Sequence, residues 1–235
     1  MSGNRLYSEL AVAACVDSYL KYGVVSAGGF SLPRVVEIAE EGSWASAYVG
    51  HGFGVLCYRG TDALDDWLDN LKMTMCKPKG FDPEIYNRPF IPNCKPLFHR
   101  GFYGAYRRLH QASEWILDKY ASEVDEWIVT GHSLGGAMAN IACLKLQQLE
   151  KPKLITFGAP RWGNRDACWL ASQETSLMLR FRNGSDIVPL LPAPFGRWKH
   201  ACPEIRLNGS HSSRLIGSHN IYDYRVGLQR YTGRN

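Results

Sequence analysis

The run Gly131-His132-Ser133-Leu134-Gly135 constrains this chain more than any other stretch. It follows a short continuous apolar strand, Trp127-Ile128-Val129-Thr130, and opens a segment in which Leu134, Ala137, Met138, Ile141 and Leu144 make a broad apolar face at helical spacing. A strand that turns directly into a helix brings backbone segments too close for side chains at the flanks, and Gly131 and Gly135 stand at those flanks. Gly136 extends the allowance. A buried strand feeding an apolar-faced helix is stable only with the strand inside a sheet and the helix on its face.

The remaining segments agree with a sheet-and-helix architecture. Leu6, Leu10, Ala13 and Leu20 predict an amphipathic first helix. Gly28-Gly29 and Pro33 mark a loop. Strand-like segments follow at 35–38, 45–49 and 53–58, separated by the turns Glu41-Gly42-Ser43 and Gly50-His51-Gly52, and read as an antiparallel meander. A proline-rich connection, about 77–98, cannot hold a long helix. Beyond it Phe102, Tyr106, Leu109, Ala112, Ile116 and Tyr120 recur at helical spacing, strands are expected at 154–157 and 177–181, and a helical stretch lies between these at 164–172. Alternation of strands with helices implies crossover connections and a parallel sheet. The expectation is one α/β domain over residues 1–235, with an antiparallel start feeding a mostly parallel mixed sheet flanked by helices.

Composition narrows the function classes. The chain has 235 residues, 45% hydrophobic and 21% charged, so it can bury a core. No apolar run approaches the roughly 18 residues of a spanning helix. The net charge of +5 comes from scattered Lys and Arg, which argues against nucleic acid and is compatible with weak attraction to an anionic lipid surface. Seven cysteines show no Cys-x-x-Cys spacing, so no metal knuckle is expected. Cys57 and Cys143 sit in apolar segments and read as small buried hydrophobes; only Cys76 and Cys94 bracket a loop that could be bridged. Val12-Ala13-Ala14-Cys15 is like a lipoprotein cleavage box, but its apolar run is short and flanked by Glu9 and Asp17. The odd cysteine count without a recognisable leader favours a reducing, intracellular compartment.

A serine hydroxyl becomes nucleophilic only beside a base, and the base needs an acid to fix its tautomer. Ser133 would project from the sheet's carboxyl edge at a helix N-terminus; the plainer reading is an N-capping serine. In hydrolases with a strand–serine–helix turn the chain order is Ser, then Asp or Glu, then His. Asp186 lies just past the 177–181 strand, on the edge that carries Ser133, whereas Asp166 reads as an ordinary first-turn helix acid. Of the histidines, His219 is the candidate base. His200 reads as a surface residue at a strand end, His211 as solvated, and His132 as a packing residue that points away from Ser133. A His219–Asp223 pair lacks a third ligand for a metal.

With these residues in place the chain resembles the fungal-type triacylglycerol lipases, the class 3 lipase family. The resemblance rests on Tyr58-Arg59-Gly60-Thr61-Asp62, His99-Arg100-Gly101-Phe102, Gly131 to Gly136, Phe157 to Asn164, Asp186-Ile187-Val188-Pro189 and Ser218-His219-Asn220, in family order. It implies an α/β-hydrolase-like domain and hydrolysis of lipid esters through an acyl-enzyme, with Ser133, Asp186 and His219 catalytic. It implies Thr61 and the Leu134 amide as oxyanion donors, and neither metal nor organic cofactor. Phospholipase A1, lysophospholipase or soluble esterase activity stands as the alternative. A non-catalytic interaction protein on the same fold is a different class, distinguished by loss of the three residues, all present here. Leu64, Trp67, Leu68 and Leu71 fall on one face of a short helix within about 62–77. Periodicity alone gives a docked surface helix; the resemblance implies a mobile lid that opens at a lipid membrane or droplet surface.

Overall fold

The computed structural model describes residues 3–60, 74–78, 94–193, 197–209 and 217–233. An eight-stranded sheet runs in the order β1-β2-β3-β4-β7-β8-β9-β10. Strands β1 (Val24–Ala27), β2 (Phe30–Glu40), β3 (Ser43–Gly50) and β4 (Gly52–Arg59) form the antiparallel start. From β4 onward every pairing is parallel, through β7 (Val124–His132), β8 (Lys153–Phe157), β9 (Leu177–Asn183) and β10 (Glu204–Leu207). A separate two-stranded ladder pairs β5 (Met75–Cys76) with β6 (Phe98–His99).

Strand side chains alternate between the two faces, and the two buried cores follow that alternation. Leu56, Tyr58, Val129 and Leu154 enter one core, with helices α2 (Arg100–Lys119), α3 (Leu134–Lys145) and α4 (Arg165–Glu174). Val55, Cys57, Ile128 and Ile155 enter the other, under α1 (Gly3–Leu20) and α5 (Ile221–Tyr231). Both faces are thus covered, as a parallel sheet requires. Helix α3 is buried at every position from Gly135 to Leu144. Each Leu or Ile buried there contributes about 1.5–3 kcal/mol.

Three expectations change. Helix α1 is not amphipathic: every residue from Ser8 to Ser18 except Ala13 is buried, while Leu20 is exposed. It is wedged between the sheet and α5, so contact comes from several sides and the polar residues are satisfied locally. Asp17 shows how: its carboxylate accepts from Tyr48 Oη and the Gly23 amide, both at 2.8 Å, and pins the end of the helix. Gly28-Gly29 is the tight turn of the β1–β2 hairpin, with φ of 59° and 91°, and not an open loop. Pro33 lies inside β2 close to a register shift between Arg34 and Val36, where a missing amide is tolerated. All seven cysteines, Cys76 and Cys94 among them, are free thiols.

Candidate active site

Because β4, β7, β8 and β9 are parallel, their carboxyl ends meet at one edge, the place where open α/β sheets bind ligands. Strand β4 ends in Arg59-Gly60, β7 in His132-Ser133, β8 in Phe157-Gly158, and β9 in the turn that holds Asp186.

Ser133 sits on the turn between β7 and α3 with φ 57° and ψ −129°, a conformation that L-residues avoid. Its amide donates to Phe157 O at 3.0 Å. The flanking glycines are sterically required. A Cβ on Gly131 would lie 2.3 Å from Gly135 C, and one on Gly135 would lie 2.0 Å from Tyr58 O. A Cβ on Gly60 would lie 3.1 Å from Ser133 Cβ, so the end of β4 runs directly against the serine. Leu134 is the first residue of α3, and first-turn amides have no intrahelical acceptor.

Asp186 is fully buried. Its Oδ1 accepts from the Val188 amide at 2.9 Å, and its Oδ2 accepts from Tyr224 Oη at 2.5 Å and from His219 Nδ1 at 2.7 Å. A carboxylate takes protons from both partners, so the neutral His219 ring carries its proton on Nδ1 and presents a lone pair on Nε2. Burial, and then the charge of Asp186, pushes the Tyr224 phenol well above its usual range, which keeps it a donor. Ser133 Oγ and His219 Nε2 are both buried without a hydrogen-bond partner among the described residues. Serine–base bonds are often long before substrate arrives.

The surrounding residues hold these groups. Asn183, fully buried at the end of β9, donates to Ser218 O at 3.1 Å and accepts from the Gly209 amide at 2.8 Å, which ties the His219 segment to the sheet. Arg182 Nε donates to Asp186 O at 2.8 Å. Arg161 donates to the carbonyls of Leu190 and Pro192, bracing the chain after Asp186. A Cβ on Gly158 would lie 2.8 Å from His219 Cε1, so glycine there makes room for the imidazole.

One expected role for histidine is corrected and another is made specific. His200 is not a solvated strand end: it is half-buried and donates through Nε2 to Pro189 O at 2.7 Å. Burial, and then the charge of Arg180, pushes it down to about 3. His132 does pack, as expected, but against His219: the ring centroids are 4.5 Å apart and His132 Nε2 is 2.7 Å from His219 O. Tyr224, Asn183 and Tyr19 carry no signal in sequence beyond that of core aromatics and a strand-end amide. Thr61, the lid residues Leu64, Trp67, Leu68 and Leu71, and His211 lie outside the described residues. The described end of the 62–77 segment, Met75–Cys76, is a strand docked on Phe98–His99. No cluster of His, Cys, Asp and Glu fit to hold a metal exists among the described residues, and no described helix is long and apolar enough to cross a membrane.

A chloroplastic phospholipase A(1) of Arabidopsis thaliana is 28% identical over 193 residues, covering 70% of this chain and 42% of that protein. A secreted mono- and diacylglycerol lipase of Fusarium solani is 39% identical over 92 residues, 39% of this chain and 28% of that one. The chain thus spans less than half the length of these curated relatives. Among solved structures, the lipase–propeptide complex of Rhizomucor miehei superposes with a TM-score of 0.69 at 20% identity, covering 87% of this chain and 67% of that one. The family model for lipase (class 3) matches residues 55–196, from the core of β4 through the turn at Ser133 and past Asp186. This chain belongs to the class 3 lipase family.

Proposed function

We propose that the chain hydrolyses lipid carboxylic esters, acylglycerols foremost, through an acyl-enzyme intermediate. One observation carries the reading: the Asp186–His219 pair, bonded at 2.7 Å with His219 Nε2 unpartnered among the described residues, lies at the sheet edge where Ser133 occupies its strained turn. Ser133 Oγ attacks the ester carbonyl while His219 Nε2 takes its proton. Asp186 holds the ring and offsets the imidazolium charge. The carbonyl oxygen, now negative, receives the Leu134 amide and Thr61, contacts that strengthen as charge develops. His219 returns the proton to the departing alcohol and the ester C–O bond breaks. Water, deprotonated by the same Nε2, then releases the carboxylic acid. Every proton is shuttled by His219.

A phospholipid substrate is the second reading, supported by 28% identity to a plant phospholipase A(1) over 70% of the chain. The test is a chain-length series of nitrophenyl esters beside emulsified triacylglycerol and phosphatidylcholine vesicles, with Ser133→Ala as control. The expected result is hydrolysis that rises with acyl length and is greatest on acylglycerol; greater release from the vesicles favours the second reading. Full turnover by Ser133→Ala would refute both.

A further inference from the structure

Taking Ser133 as nucleophile and His219 as base, we propose that His132 is a positioning residue that sets the spacing between them. It precedes the nucleophile in β7, yet its side chain engages the base. His132 Nε2 lies 2.7 Å from His219 O. A carbonyl only accepts, so Nε2 carries the proton and Nδ1 is left as acceptor, 3.3 Å from Tyr19 Oη. One hydrogen bond therefore links the nucleophile's strand to the main chain of the base, across 87 positions of sequence.

The ring is locked from other sides as well. It lies over the His219 ring with centroids 4.5 Å apart, and Tyr224 meets it edge-on at 5.7 Å. Tyr19 is itself held: the Arg59 guanidinium lies 5.0 Å from its ring and 4.7 Å from that of Trp44. Among the described residues, the titratable and charged groups around His132 are therefore Tyr19 from α1, Arg59 behind it at the end of β4, and His219 and Tyr224 with Asp186 beyond them. Burial, and then His219, holds His132 well below the ordinary imidazole range. A neutral His132 keeps its donor and acceptor fixed and places no second charge against the imidazolium that forms on His219.

Two substitutions separate the bond from the packing. His132→Phe keeps a ring against His219 but removes the donor, while His132→Gln keeps a donor of similar reach. For His132→Phe, kcat on a soluble nitrophenyl ester should fall about 10- to 100-fold with KM nearly unchanged, as for a misplaced reacting group. The acid limb of its kcat/KM profile should move to lower pH, because His219 loses alignment with Asp186. His132→Gln should recover most of kcat and the limb. Tyr19→Phe, which leaves packing intact, should show a smaller fall and a limb shift of the same sign, and it serves if His132→Phe does not fold. Wild-type kcat and pH profile in both His132→Phe and Tyr19→Phe, or equal losses in His132→Phe and His132→Gln that track a lowered Tm, would overturn the inference. In either case an inactive Ser133→Ala leaves the reading of nucleophile and base standing, whereas an active one removes that premise itself.

Discussion

Substituting Ser133 by alanine and, separately, by glycine isolates the strain of the nucleophile turn from the chemistry of its hydroxyl. Both variants lose Oγ, an atom buried without a partner among the described residues, so that change is common to them. They differ in backbone freedom. Alanine must hold φ 57° and ψ −129° with a Cβ in place. Such a conformation costs about 1–3 kcal/mol. Glycine releases that strain but loses about 0.4–1 kcal/mol through the greater freedom of its unfolded chain. The difference leaves glycine ahead by about 1 kcal/mol, or about 2–4 °C in Tm for a chain of this length. Equilibrium urea unfolding with matched m-values, alongside thermal melts, measures it directly. Neither variant should turn over a nitrophenyl ester, so activity cannot confound the comparison. Alanine as stable as glycine, or more so, would show that the turn stores no strain.

Four further outcomes are expected. His219→Ala should lower kcat by about 10⁴-fold or more and Asp186→Asn somewhat less, with near-UV circular dichroism unchanged, since the three groups act as a unit. Thr61→Val should cut kcat about 100-fold while KM stays nearly constant; a change confined to KM would mean that the residue only packs. Gly135→Ala should destabilise by at least the about 1–3 kcal/mol of ordinary overpacking, because its Cβ would meet Tyr58 O at 2.0 Å. Gly104→Ala is its control: inside α2, with nothing among the described residues within 4 Å of the added atom, it should gain about 0.5–1 kcal/mol. Finally, His200 is neutral in the fold and its pKa lies at about 3, below the unfolded value of about 6.5. The unfolded chain therefore binds the extra proton first, so this residue's contribution is complete above the unfolded value and is lost as pH falls toward the folded one. Tm measured from pH 8 to 4 should decline less steeply in His200→Gln than in the wild type; parallel curves would sink the assignment.

The sequence reading reached the parallel half of the sheet because β7 and β8 hold short apolar runs, β9 is apolar but for its arginines and Asn183, and α2 and α3 carry helical spacing, signals set by burial. It reached the turn at Ser133 because steric crowding leaves only glycine at 131 and 135. Strand β1 was hidden: four residues between Gly23 and Gly28 offer too little alternation to register. The all-round burial of α1 was hidden as well, because Glu9 and Asp17 read as solvent-facing until Arg5, Tyr48 and Gly23 are found to satisfy them. That Asp186 and His219 would come together was legible from chain order and from the strand end at Asp186. Tyr224, Asn183 and His132 were not, since hydrogen bonds between positions distant in sequence leave no local periodicity.

The bond from Tyr19 to His132 spans 113 positions, and that from His132 to His219 spans 87. Ser133 and His219 therefore come into register only after two long loops have closed, an entropic cost met before any of the contacts return it. Chains dominated by such distant pairings fold slowly. On dilution from denaturant, helix signal should return well before ester turnover, and the slowest refolding phase should set the recovery of activity. Damage to α1 or α5, elements that carry none of Ser133, Asp186 and His219, should then appear as a smaller active fraction with an unaltered KM.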